Sequence, residues 1–196
     1  DRRRLCPAAV FLYDTSLTLR QRLKLATGPA HVALEARIGT LDTQPAYNLY
    51  ARGLHAFRSA IEGWLFAQEL PTIGVWRPQS IALALHDDLN DLALTPLDAF
   101  TLQWDATASG SFVMGVHYVL EGSALGARVL CKQVAALGLT RDHGARHLWA
   151  QADTPTSWRG YLHALENIDI DEAALIAGAD AAFVAAAGAM ERAADV

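Results

Sequence analysis

One histidine stands out by its neighbours. In the run Leu23-Lys24-Leu25-Ala26-Thr27-Gly28-Pro29-Ala30-His31-Val32-Ala33-Leu34-Glu35, His31 and Glu35 are four residues apart, so a helix puts them on one face. An imidazole that binds a metal through one nitrogen commonly gives its other N–H to a carboxylate, which fixes the tautomer and the ring direction. Glu35 is placed for that role. Lys24, seven residues before His31, is two helical turns away and within reach of an anionic group on a ligand held there. Spacing alone leaves a plainer alternative open: such His–Glu pairs are common on solvated helices, and a lone lysine is ordinarily a solvated charge.

A second segment is unusual for its glycines. In Tyr118-Val119-Leu120-Glu121-Gly122-Ser123-Ala124-Leu125-Gly126-Ala127-Arg128-Val129-Leu130, Gly122 and Gly126 share one helical face, with the small Ala127 beside them. Each glycine costs a helix about 1 kcal/mol relative to alanine. Two readings explain why that cost is accepted. Another helix packs closely against the bare backbone, or a flat ligand lies against it. Glycines also let the segment bend.

These residues need helices to position them, and the hydrophobic spacing supplies helices almost everywhere. Ser16 or Thr15 can cap a first helix from about Leu17, with a break or kink at Gly28-Pro29 and a stop at Gly39. Pro45 opens a long amphipathic helix whose apolar stripe is Tyr47, Tyr50, Leu54, Phe57, Ile61 and Leu65. Ser80 to Leu92 reads as a helix with Asp87, Asp88 and Asp91 off its apolar face, between a Pro71–Pro78 loop and a Thr95-Pro96 turn. Leu97 to Trp104 is ambiguous. Asp105 to Ser111 reads as a loop before a long apolar helix from Phe112 to Leu137. Thr140 caps a helix through Trp149, and Trp158–Leu165 and Asp171–Ala194 follow. Strand-like alternation is almost absent. The expected fold is all-α, a single domain of seven to nine helices over residues 16–196, with residues 1–15 as an N-terminal leader.

Composition narrows the function classes. The 196 residues are 52% hydrophobic with a net charge of -5, enough for a buried core and unlike a basic nucleic-acid binder. Cys6 and Cys131 form no CxxC pair, so a reducing cytoplasm is the simplest compartment. No apolar run is expected to span a bilayer, and no signal-peptide pattern opens the chain. No Gly-rich dinucleotide motif is present.

Taken together, the two segments resemble the proximal and distal helix patterns of heme oxygenases. The run Tyr118-Val119-Leu120-Glu121-Gly122-Ser123, followed by Leu125-Gly126, is most similar to the bacterial biliverdin-producing branch that includes the bacteriophytochrome-associated enzymes. Weaker similarity extends from about residue 17 to 190. The resemblance implies a heme oxygenase-like multihelical fold with heme, both substrate and cofactor, between two helices. It makes His31 the axial iron ligand and Glu35 its orienting partner. It places Gly122, Ser123 and Gly126 over the reacting face. Tyr118, Ala127, Lys24, Lys132 and Arg128 become further heme contacts, the three cations serving the propionates. Products would be biliverdin, carbon monoxide and ferrous iron, with O2 and electrons from an external ferredoxin or reductase. A biliverdin-accepting photoreceptor is a further implied partner. No nucleic acid or membrane partner is implied.

Two departures from that pattern matter. Many family members carry aspartate where this chain has Ser123, and a hydroxyl cannot carry a carboxylate's charge. A basic residue that holds a propionate in some members falls near Asp180 here. The alternative function is therefore a heme-binding carrier or sensor without turnover. His55, His86, His143, His147 and His163 read as surface residues, although His143 and His147 have zinc-pair spacing. His117, which precedes Tyr118 in the distal segment, has a pocket-facing reading beside the plain one of an ordinary helix residue. The five tryptophans read as core or boundary aromatics.

Overall fold

The structure, a computed structural model, describes residues 17–68, 76–98, 101–105 and 108–195. The expected leader, Cys6, Thr15, Ser16 and Pro71 lie outside the described residues. Among the described residues there are seven helices and no strand. They are α1 (Leu19–Ile38), α2 (Gln44–Phe66), α3 (Ala82–Asp91), α4 (Gly110–Ala135), α5 (Arg146–Ala152), α6 (Pro155–Glu166) and α7 (Glu172–Ala194). The all-α expectation stands.

α7 is the hub. It packs against α1, α2 and α4, and its alanines 179, 182, 185, 186, 189 and 193 are buried. Small side chains let three helices approach one axis. The closest approach is to α4, where a Cβ on Gly115 would sit 1.9 Å from the Leu175 carbonyl oxygen. Reciprocally, a Cβ on Gly178 would sit 2.0 Å from the Phe112 carbonyl oxygen. Gly53 of α2 lies close to α7 too, though less tightly, since a Cβ there would sit 2.8 Å from Met190 Sδ and 3.2 Å from the Ala189 carbonyl oxygen. By length and composition α7 is apolar enough to cross a bilayer, with a mean hydropathy of 1.7 in a window that is half buried. The expectation that no segment meets that test is thus corrected. Its apolarity is used internally, since it is the helix that three others cover.

Ion pairs tie α1 along α7. Near the start of both helices the Arg22 guanidinium forks onto Glu172, with N···O distances of 2.7–3.0 Å. Near their ends Arg37 pairs with Glu191 and also donates to the Ala187 carbonyl. α4 starts beside α7 too, because the Asp171 N–H, at the α7 cap, donates to Ser111 Oγ at 3.0 Å. α1 and α4 therefore both run along α7 from its N-terminal end. Between each other α1 and α4 make marginal contact at most.

Local chemistry moves several expected boundaries. Thr18 caps α1 in a capping box with Gln21, so the helix starts later than Leu17. Pro29 neither breaks nor ends α1, which runs through it. Proline removes one N–H donor, and on this outward face water can take the orphaned carbonyl. Thr140 does not cap a helix. It pairs with His143 in a turn, and α5 begins only at Arg146. No helix covers the described part of Leu97–Trp104.

Gly115→Ala should be among the most damaging single-methyl additions in the chain. It forces α4 off the α7 backbone, at a cost of about 3 kcal/mol, which urea unfolding monitored by circular dichroism would measure.

Candidate functional site

α1 turns one face to α7 and leaves the other open. Leu23 and Thr27 are buried, with Ala30 and Leu34 packed partly against the core. On the adjoining outer edge Lys24, Gly28, His31 and Glu35 recur at four-, three- and four-residue steps, which makes a single stripe. The His31 and Glu35 side chains are 57% and 68% exposed, and His31 Nδ1 lies 3.5 Å from Glu35 Oε2. Phe183 of α7 backs the imidazole edge-on, with ring centroids 5.9 Å apart. A Cβ at Gly28 would meet nothing within 4 Å, so among the described residues nothing covers this stripe there. Lys24 is exposed.

The glycines of α4 divide into two kinds. Gly115 is filled by α7 backbone, as described. Gly126 is exposed, and a Cβ there would meet nothing within 4 Å. At Gly122 the nearest side chain is the Trp158 indole, 3.7 Å away. Close helix packing explains Gly115, then, and does not explain Gly126. Leu125 and Val129 stand 59% and 60% exposed beside it, and Leu25 and Val32 on α1 are exposed to a similar degree. Apolar side chains left in water on two helices that share a neighbour but scarcely touch are what an uncovered apolar ligand surface looks like. A flat ligand with an apolar body fits that surface.

Ser123 is held by two partners. Its hydroxyl donates to the Leu120 carbonyl at 2.6 Å, and it accepts from Gln151 Nε2 of α5 at 2.9 Å. Tyr118 is partly buried in an aromatic cluster of α4 and α6, with ring centroids 5.6 Å from Trp158 and 6.5 Å from Tyr161. Nearby, α4, α5 and α6 enclose a cavity of about 90 Å³, far below the size of a macrocycle.

Three of the expected contacts lie off the open face that carries Gly126. Ala127 is 1% exposed and sits in the cluster with Tyr47, Tyr50 and Leu148. One residue is about 100° of helix, so it turns inward where Gly126 turns outward. Arg128, two residues past Gly126, lies on the far side of α4 and donates to the Ala152 carbonyl. Lys132 is exposed in the last turn of α4, where its charge offsets the helix dipole. Of the three cations only Lys24 shares the His31 stripe. Asp180 is exposed on α7.

The other histidines do not form a metal centre. Among the described residues no group of three metal-ligating side chains exists. His147 is fully buried, contrary to expectation, because Asp88 takes both its backbone N–H and its Nδ1, at 3.1 and 2.8 Å. Asp88 itself is fully buried, and also accepts from the Arg146 N–H. A local apolar stripe could not show this, since Asp88 is buried by α5 rather than by α3. His143, His86 and His163 are exposed, and His55 is half-buried near His86. His117 points inward, 1% exposed, edge-on to Trp76 at 5.2 Å. Close by, Glu121 accepts from Ser157 and from the Gln79 N–H, and burial pushes its carboxyl up.

Comparison with known proteins bears on the chain as a whole. The chain is 28% identical to the heme oxygenase PigA of Pseudomonas aeruginosa, across 78% of this chain and 79% of that one. Its fold superposes on the heme oxygenase of Neisseria meningitidis, solved with NO and CO bound, with a TM-score of 0.69 and 26% identity. That match covers 92% of this chain and 94% of the other. Both comparisons point to the heme oxygenase family. No family model matches the chain. The bacterial relatives agree with the resemblance read from His31–Glu35 and Gly122–Gly126. Sequence reasoning did not bring Phe183, Trp158 or Gln151 to those residues. Each arrives from another helix, and of the three only Trp158 was singled out by the sequence, as one of the core or boundary tryptophans.

Two stability measurements separate these environments. Gly126→Ala should raise stability by up to about 1 kcal/mol, opposite in sign to Gly115→Ala. Burial, with Arg58 adding to it, holds His117 down to about 4 against an ordinary 6.5. The folded chain therefore refuses a proton that the unfolded chain accepts. The stability of the neutral ring is complete above about pH 6.5 and is lost as pH falls toward 4, by about 3 kcal/mol in all. His55 and His147 are also depressed by burial, so the wild-type minus His117→Phe difference in urea unfolding isolates this one ring.

Proposed function

We propose that this chain is a heme oxygenase. It binds heme between α1 and α4 and opens the macrocycle to biliverdin, carbon monoxide and ferrous iron, using O2 and electrons from a separate ferredoxin or reductase. The observation that carries the reading is His31. It is outward-facing, backed by Phe183, with Nδ1 turned to Glu35, on a helix clamped to α7 but scarcely touching α4. The relatives in sequence and fold support the same reading.

The helical unit of residues 16–196 is read as one heme-binding domain. A porphyrin needs only an axial donor from the protein, which accords with one histidine and no cluster of ligands. His31 offers Nε2 to the iron while Glu35 sets the tautomer through Nδ1. Lys24, on the same stripe, is the cation for a propionate. Gly126 leaves α4 backbone open and would let it lie against the ring, with Gly122 beside the Trp158 indole, and Ser123 would supply a polar group there. When bound, heme supplies the iron at which O2 and electrons react. The chain itself binds, orients and limits access. Placement in the bacteriophytochrome-associated branch, a photoreceptor as biliverdin acceptor, and a cytoplasmic location belong to this proposal too; the Tyr118–Ser123 run supports the branch.

Hemin added to the purified protein should give a Soret band. With ascorbate in air and catalase present, that band should decay into the broad red absorption of biliverdin. His31→Ala should abolish the normal Soret position and the decay. Gly126→Leu should weaken hemin binding at least tenfold while the fold survives, since the Cβ site is open. A Soret band that persists under reductant and air would make the chain a carrier or sensor. Binding untouched by either substitution would remove heme from this site.

A further inference from the structure

Ser123 follows Gly122 on α4, and the structure shows what constrains its hydroxyl. A hydroxyl has one proton and two lone pairs. The Leu120 carbonyl can only accept, so the Ser123 proton is committed to it, at 2.6 Å. The Gln151 contact at 2.9 Å must then be a donation from Nε2 into one Ser123 lone pair, which also settles the orientation of the amide. Gln151 is 5% exposed, so its amide has little access to water as an alternative partner, while Ser123 itself is exposed. What remains at Ser123 is a single lone pair and no proton. An ionised carboxylate is likewise acceptor-only.

We propose that Gln151 is a positioning residue that locks the Ser123 hydroxyl as an acceptor-only group, reproducing the hydrogen-bond polarity of a carboxylate without its charge. The locked oxygen receives a hydrogen bond from a water and orients that water's second proton away from α4. Without Gln151 the hydroxyl can leave Leu120, turn, and present a proton instead. Gln151, though not Ser123, also lines a surface cavity of about 90 Å³ beside Leu125, Arg128, Thr154 and Trp158, so the water that Ser123 receives comes from the solvent to which Ser123 is exposed. This inference rests on heme being the ligand of the site.

The test is a double-mutant cycle on hemin-loaded protein, comparing wild type, Gln151→Met, Ser123→Ala and the double variant. Gln151→Met keeps the side-chain volume and removes the donor. It should slow heme loss about tenfold, the equivalent of one hydrogen bond, with hemin affinity unchanged. In the Ser123→Ala background it should add nothing. Ser123→Asp placed in the Gln151→Met chain should restore turnover, because a carboxylate needs no lock. The C–O stretch of carbon monoxide on the ferrous complex should move to lower frequency in Gln151→Met, as a freed hydroxyl donates. In heme-free protein the Gln151 side-chain amide protons should exchange faster in Ser123→Ala than in wild type, a readout that needs no Gln151 variant to fold.

An undiminished rate in Gln151→Met, or an equal loss in the Ser123→Ala background, overturns the positioning role. So does a loss that appears only as weaker hemin binding. A wild-type chain that binds no hemin overturns the heme reading and this inference with it, whereas hemin turnover indifferent to Gln151 overturns this inference alone.

Discussion

The structure depends on backbone-to-backbone contact between α4 and α7. At Gly115 and Gly178 the two helices come so close that neither position has room for a methyl group. That contact fixes where the rest of α4 goes. Because α1 is clamped to the same α7 by ion pairs at both ends, it also fixes the separation of α1 from α4. The site is thus defined by two helices referenced to a third. A rigid hub of small residues is the inexpensive way to do this, since alanine gives up no side-chain entropy on burial.

The same glycine-rich helix serves two purposes along its length. Its first half spends a glycine on α7. Its second half leaves Gly126 bare to solvent, next to exposed leucine and valine. A soluble fold with no ligand would gain stability by replacing Gly126 with alanine and the exposed apolar residues with polar ones. Local stability given up at a surface is the ordinary mark of a functional constraint. Polar satisfaction follows the opposite course in the interior, where Asp88, His147, Arg146, Glu121 and Ser157 are cross-linked between helices. His117 alone in that region leaves both ring nitrogens without a partner.

Ser123 illustrates how a substitution within a family pattern is read through its neighbours. Taken by itself it loses a charge. Held by Leu120 and Gln151, its hydroxyl has its proton committed and one lone pair left. The relevant unit is therefore a pair of residues from two helices.

The sequence by itself determined the helical class, the order of the long helices and the two segments that carry the chemistry. Their cause is local: a 3.6-residue period, capping side chains, and spacings of four that put His31 with Glu35 and Gly122 with Gly126 whatever the rest of the chain does. It also held the apolar stripe of α2, whose Tyr47, Tyr50, Phe57 and Ile61 recur at helical spacing and are all buried. Only the tertiary structure decided which glycine packs and which stays open, that Ala127 turns inward and Arg128 away, and that Asp88 and His147 are buried. Those outcomes rest on which helix lies across which. Residues 28 to 150 positions apart, such as Gln151 with Ser123 or Arg22 with Glu172, meet through packing that no local spacing encodes.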